Sequence, residues 1–211
     1  MNRKARIFSF VIAIMILLGS TGAPALAAPY AALPNPSAII PVPSGAYAIY
    51  SQGPHPSGFG MGYMKNGNQV MSSIDLKYSG NVVAPITGKI MIAKDCGDHQ
   101  IVFVNAERSG DSGWSIGLTH IRIASGLKDG SPVTQGQVIG KTVMPLAKPG
   151  KGCGYGSGMH IHYTLMKWQM AAKGPVFTEQ NIVNTYLGSW IVKNTYLNCS
   201  DHDVKLGQTI K

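Results

Sequence analysis

The chain has 211 residues, with 18 lysines and arginines against nine acidic residues, a formal net charge of +9, and 26 glycines and 13 prolines among few charged positions. Its two glutamates, Glu107 and Glu179, adjoin no histidine. That excludes the helical zinc-peptidase layout of two histidines with a neighbouring glutamate.

Residues 1–27 read as a secretory signal, with a basic start at Arg3, Lys4 and Arg6, an apolar run from Ile7 to Leu18, and small residues for cleavage at Ala25-Leu26-Ala27. The run is short for a membrane span, and no later segment approaches the needed length. Its removal leaves 184 residues and takes away three cations and no acid, so +9 falls to +6. The mature protein is expected to be a secreted monomer, or periplasmic where the producer has an outer membrane, with no membrane contact after signal removal. Its basic surface suits wall polymers or anionic headgroups rather than nucleic acid. Residues 28–52 carry Pro29, Pro34, Pro36, Pro41 and Pro43 and read as a proline-rich leader or pro-segment.

The main domain is expected over residues 53–170. From about residue 69 the chain alternates short apolar-polar runs with glycine: Val70 to Tyr78, Gly88 to Ala93, Gln100 to Asn105, Trp114 to Ile121, Val138 to Val143 and Met159 to Trp168. This predicts a mainly β, antiparallel domain. One short helix is predicted over Thr178 to Leu187, with Thr178 as its cap and Gly188 as its stop. Residues 171–211 read as a C-terminal extension packing on the domain, ending in a hairpin from Trp190 to Lys211. Export permits disulfides, and among Cys96, Cys153 and Cys199 a Cys96–Cys153 bridge is favoured because it pins the loop before Met159.

His160-Ile161-His162 is the most informative tripeptide. In a strand, residues two apart share a face, so the two imidazoles converge while Ile161, Tyr163 and Leu165 face the core. His55 follows a turn-forming Gly53-Pro54, Asp75 alternates with Ile74 and Leu76, and His120 ends a predicted strand. A catalytic zinc ion (Zn2+) takes three protein ligands and leaves a position for water, so a His, His, Asp set fits, with two histidines left over for proton transfer and charge stabilisation. His99, between Asp98 and Gln100, and His202, between Asp201 and Asp203, read as solvated loop residues.

An ordered series of motifs resembles the lysostaphin-type zinc endopeptidases of the bacterial cell wall, in their beta-lytic or staphylolysin-like branch. The series comprises Gly53-Pro54-His55, Ser73-Ile74-Asp75-Leu76, Ala84-Pro85-Ile86-Thr87-Gly88, Thr119-His120-Ile121, the run Gly130 to Gly140, and Gly158-Met159-His160-Ile161-His162-Tyr163. The resemblance implies a duplicated hybrid motif or barrel-sandwich fold with a site cleft. It also implies zinc bound by His55, Asp75 and His162, with His120 and His160 off the metal and serving catalysis. The implied activity is hydrolysis of peptidoglycan peptide cross-links at glycine-containing bonds. Leu118 stands where relatives often carry a tyrosine, so some transition-state support is expected either to be absent or to come from elsewhere, with Tyr155 and Tyr163 as the candidates. The rival reading is a metal-free relative that binds wall peptides or activates an amidase. Such regulators usually lack several ligands, whereas here only His55 is irregular, lying twenty residues before Asp75. A serine or cysteine nucleophile has little support, Cys153 being better used as a staple.

Overall fold

The computed structural model describes residues 38–57, 69–106, 112–145, 156, 158–200 and 202–211. The expected signal at 1–27, and most of the expected leader up to residue 37, lie outside these. In chain order the strands are β1 (Ala48–His55), β2 (Ser73–Lys77), β3 (Asn81–Val83), β4 (Gly88–Asp95), β5 (Gln100–Asn105), β6 (Ser112–Ile123), β7 (Pro132–Val133) and β8 (Val138–Thr142). They continue with β9 (His160–Ala171), β10 (Gly174–Glu179), β11 (Tyr186–Leu187), β12 (Trp190–Val192), β13 (Tyr196–Asn198), β14 (Asp203–Lys205) and β15 (Thr209–Ile210). Eleven strands form one sheet along the path β15-β1-β2-β9-β6-β5-β4-β7, with β10 added to β9, and with β8 joining β6 and carrying β3. β11 to β14 form a second, four-stranded sheet.

Period-two alternation decides which side of the large sheet becomes the core. On β9, Ile161, Tyr163 and Leu165 are at most 1% exposed, and they pack with Ile74 and Leu76 of β2 and Ile116 and Leu118 of β6. Each such side chain stabilises the fold by about 1.5–3 kcal/mol through loss of apolar surface to water. His160, His162 and Asp75 alternate with these residues, so packing one face of the strands turns the chemistry outward on the other. Strand contacts are close enough to require glycine, most tightly at Gly88 and Gly140. A Cβ on Gly88 would meet the Asn105 carbonyl oxygen at 2.1 Å, and one on Gly140 would meet that of Arg122 at 2.2 Å.

The chain joins this body before residue 53. Ala38 is buried and bridges Leu187, the Ile39 N–H donates to the Pro85 carbonyl at 2.9 Å, and β1 begins at Ala48. Beyond residue 170, β10 lies directly on β9 and β15 lies on β1. The segment expected to form a terminal hairpin instead supplies β12 to β14 of the small sheet before β15 returns to the edge of the large one.

The expected helix over Thr178 to Leu187 is absent. Thr178 and Glu179 end β10, and the chain then turns through Asn184, at φ 65, into β11. The cause is a ladder that local propensity does not register. β2 covers β9 only as far as Thr164, leaving Met166 to Ala171 with open backbone groups, and β10 pairs with all six in register. Pro175 is tolerated because β10 is an edge strand. Glu179 then turns inward, where its carboxylate accepts hydrogen bonds from the hydroxyls of Ser57 and of Ser72, the latter at 2.7 Å. Cys153, and with it the expected bridge to Cys96, lies outside the described residues; Cys199 is a free thiol.

Candidate metal centre

Asp75 and His162 are directly opposed across the antiparallel β2–β9 ladder, so both project from one face at the closest cross-strand spacing. His162 Nδ1 lies 2.9 Å from Asp75 Oδ1. His55 arrives from the end of β1, after two register shifts between Tyr50 and His55 relative to β2. Its Nε2 lies 3.3 Å from His162 Nδ1 and 3.7 Å from Asp75 Oδ1. The Nδ1–H of His55 donates to the Gly53 carbonyl at 2.7 Å. A carbonyl can only accept, so this bond fixes the tautomer and leaves the Nε2 lone pair facing the other two donors.

Among the described residues these three form the one group of His, Cys, Asp or Glu able to share a metal ion. The triangle has the right size. Tetrahedral zinc with bonds of about 2.0–2.1 Å separates its ligand atoms by about 3.3–3.4 Å, which the edges of 2.9, 3.3 and 3.7 Å bracket.

His120 and His160 stand beside the triangle. His160 shares the outward face of β9, its Nδ1–H donates to the Gly158 carbonyl at 2.8 Å, and its Nε2 lies 3.9 Å from Asp75 Oδ2. Gly156 is packed so tightly on this ring that a Cβ there would lie 2.2 Å from His160 Cε1. His120 reaches the group through a local distortion. β6 pairs with β9 as far as Thr119 opposite His162, and with β8 from Ile121 onward, while against β5 three steps from Leu118 to Ile121 match two from Val102 to Gln100. His120 sits in this bulge with φ 64, in the left-handed region. The bulge keeps both Leu118 and Ile121 in the core and brings the His120 ring to 4.4 Å from that of His160 and 6.5 Å from that of His162, between centroids.

Electrostatics differ across the group. Burial is the largest influence on Asp75 and pushes its pKa up, but the hydrogen bond from His162 and the charges of His162, His55 and His160 outweigh it and hold the carboxyl below its usual value. Burial lowers the His55 pKa against the opposing pull of the Gly53 carbonyl and Asp75. His120 is held down to about 3, first by burial and then by His160, His99 and His162. Asp75 is therefore favoured as carboxylate and His55 as neutral imidazole, the forms that bind metal. A cleft of about 440 Å³ opens on one side of the group, lined by Asp75, His160, Lys77, Gln52, Gly156 and Met159 among others.

All five residues singled out in the sequence are thus brought together, and other expectations change. His99 is fully buried, with its ring centroid 4.9 Å from that of His120, where a solvated loop residue was expected. The turn carrying it folds back over β6, a contact only the Gln100–Ile121 pairing reveals. His202 is exposed, as expected, and lies edge-on to Trp190. Tyr163 points into the core, its hydroxyl buried and its pKa pushed up by burial, so it offers nothing to the site; Tyr155 lies outside the described residues. The string Gly113-Trp114-Ser115-Ile116-Gly117 has the spacing of a nucleophile elbow. Ser115 is nevertheless buried in the middle of β6, donating to Asn105 Oδ1 at 2.6 Å, and has none of the exposure of an elbow serine.

The fold is similar to that of a solved structure described as a novel M23 metalloprotease, pseudoalterin, from the deep sea, with a TM-score of 0.55 and 19% identity over 82% of this chain and 96% of that one. The solution structure of lysostaphin aligns at a TM-score of 0.37 and 18% identity, covering 77% of this chain and 76% of that one. No protein-family model matches the sequence, and no curated protein matches it. The M23, lysostaphin-type fold expected from the motifs is the fold of this chain.

Proposed function

We propose that this chain is an exported zinc endopeptidase that hydrolyses peptide cross-links of bacterial peptidoglycan, at bonds next to glycine. The observation that carries the reading is the His55, Asp75, His162 triangle, with ligand-atom separations of 2.9 to 3.7 Å, set beside two further imidazoles in a fold shared with a metalloprotease. When bound there, zinc supplies Lewis acidity toward a carbonyl oxygen and lowers the pKa of water.

The chain's own residues supply the rest. Gly53 fixes the His55 ring and the β2–β9 ladder fixes Asp75 against His162, so the donors are oriented before any ligand arrives. His160, held through Nδ1 by Gly158, keeps Nε2 for proton transfer at the cleft, and His120 beside it shares the charge that develops during attack and collapse. The cleft wall at Gly156 and Gly158 carries no side chain, which supports a peptide segment lying close against backbone. Export rests on the basic, apolar and small-residue order of residues 1–27, and wall polymer as partner rests on the +6 charge of the mature chain.

The test is metal analysis of the purified mature chain together with mass mapping of peptidoglycan digested by it. About one zinc per chain, with new termini at glycine-containing bridges, is expected. A protein that takes up no divalent metal and releases no peptide from any wall preparation overturns the reading.

A further inference from the structure

The turn joining β4 to β5 carries more polar organisation than a connection of four residues requires. Asp98 Oδ1 accepts two hydrogen bonds from His99, from the ring Nδ1–H at 2.9 Å and from the backbone N–H at 3.0 Å. The His99 carbonyl accepts from the Cys96 N–H at 2.9 Å, and Gly97, at φ +90, closes the turn by donating to Asp95 Oδ1 at 2.8 Å. β6 grips the same turn just beyond His120. Arg122 donates to the Gly97 carbonyl and approaches Asp95 Oδ2 at 3.5 Å, and the Ile123 N–H donates to Gln100 Oε1 at 3.0 Å.

What this bracing holds in place is the His99 ring, fully buried against His120. A buried imidazole needs a polar partner that an apolar side chain filling the same space would not, and Asp98 provides it. His120 in turn needs support of this kind. Its backbone lies in the left-handed region, where a non-glycine residue persists only if its surroundings hold it there. Its Nδ1 is buried with no hydrogen-bond partner among the described residues, so no hydrogen bond at that atom fixes the ring. Ring contacts with His99 and His160 therefore set its orientation.

We propose that His99, anchored by Asp98, is a positioning residue that holds the His120 imidazole in its working orientation from the side of the β4–β5 turn. This rests on the role given to His120 above. It adds a layer behind the site: Asp98 fixes His99, His99 packs on His120, and Arg122 ties the turn to the strand that carries His120.

The experiment compares His99→Ala, Asp98→Ala and Asp98→Asn in the full mature chain. Three quantities are measured: zinc stoichiometry, kcat and KM on a defined peptidoglycan fragment, and 15N–1H correlation spectra of the imidazoles in metal-free protein. His99→Ala is expected to keep its zinc and its KM, to lose about 10–100-fold in kcat, and to shift the His120 ring signals. Asp98→Ala should reproduce this pattern. Asp98→Asn, whose side-chain oxygen still accepts the His99 proton, should recover most of the rate. Unmoved His120 signals with kcat at the wild-type level in His99→Ala overturn the proposal. Equal loss of zinc, fold and rate in His99→Ala, with Asp98→Ala unaffected, also overturns it, because His99 is then a packing residue only. If the wild-type chain cleaves nothing, the proposed function falls, and the imidazole spectra still decide whether His99 orients His120.

Discussion

Two parts of the site are built on opposite principles. Asp75 and His162 belong to an uninterrupted antiparallel ladder, where register alone puts their side chains together. His120 depends on a break in the pattern: a bulge, a left-handed backbone and a second buried ring. The ladder fixes two of the three donor atoms that a metal would use, and regular pairing gives them little freedom. The irregular part brings in a residue placed to share the charge that develops in the reaction, at the expense of backbone strain that the surroundings must hold. Holding a cation and sharing developing charge thus fall to differently built parts of the site.

The sharpest test of that separation pairs one residue from each part. His162→Ala should abolish metal uptake, measured by elemental analysis, and hydrolysis with it, because two donors remain where three are needed. His120→Gln should keep full metal content and lose about 10²–10³-fold in kcat, the range for removal of one group that stabilises developing charge. If His120→Gln also loses its metal, the two parts are one unit and the comparison fails.

The same contrast explains what the sequence makes legible. Ile74, Leu76, Ile161, Tyr163 and Leu165 alternate strictly, so the β2 and β9 strands, their core face and the outward placement of Asp75, His160 and His162 follow from period two alone. His55 and His120 do not follow, because register shifts and a bulge intervene between their sequence positions and their places in the site. Their local settings make them candidates, and resemblance to a family supplies their roles. His99 is supported by neither route, since its burial depends on a turn folding over a strand more than twenty residues away. The expected helix fails for a related reason. Its cap and stop residues are present, but the open backbone of β9 and the hydroxyls of Ser57 and Ser72 claim Glu179 for a strand end.

Glu179 provides a smaller test. Ser57 lies two residues after His55, and Ser72 adjoins Ser73, the residue paired with His55. The buried carboxylate therefore braces the strand ends that deliver the one donor outside the β2–β9 ladder. Glu179→Ala should cost about 1.5–3 kcal/mol for each hydroxyl bond to the carboxylate lost, read from denaturant unfolding. Metal affinity should weaken about 10–100-fold, by titration against a chelator, through the misplaced His55. Glu179→Gln, which keeps an accepting oxygen, should recover much of both. An unchanged metal affinity in Glu179→Ala would show that His55 needs no such bracing.

The smallest effect is the pH dependence of the metal-free fold, and it again divides the two parts. His120 takes up a proton at about 3 in the folded chain against an ordinary value of 6.5, first because burial disfavours the charge and then because His160, His99 and His162 oppose it, with Asp75 favouring it. Between those values the unfolded chain holds one more proton than the folded one, so stability rises with pH and is lost as pH falls, by about 1.4 kcal/mol per unit. Asp75 acts in a lower window. Its folded pKa lies below 3.8, so the stability it contributes is present above that value and is lost only as pH falls further, through its folded pKa. The stability of the metal-free protein should therefore fall steadily from pH 7 to pH 4, and His120→Gln should flatten the slope by the share of one proton, leaving the loss below pH 4 in place. A variant slope equal to that of the wild type would mean that the strained histidine takes up its proton freely in the folded chain, and that the bulge leaves it open to solvent.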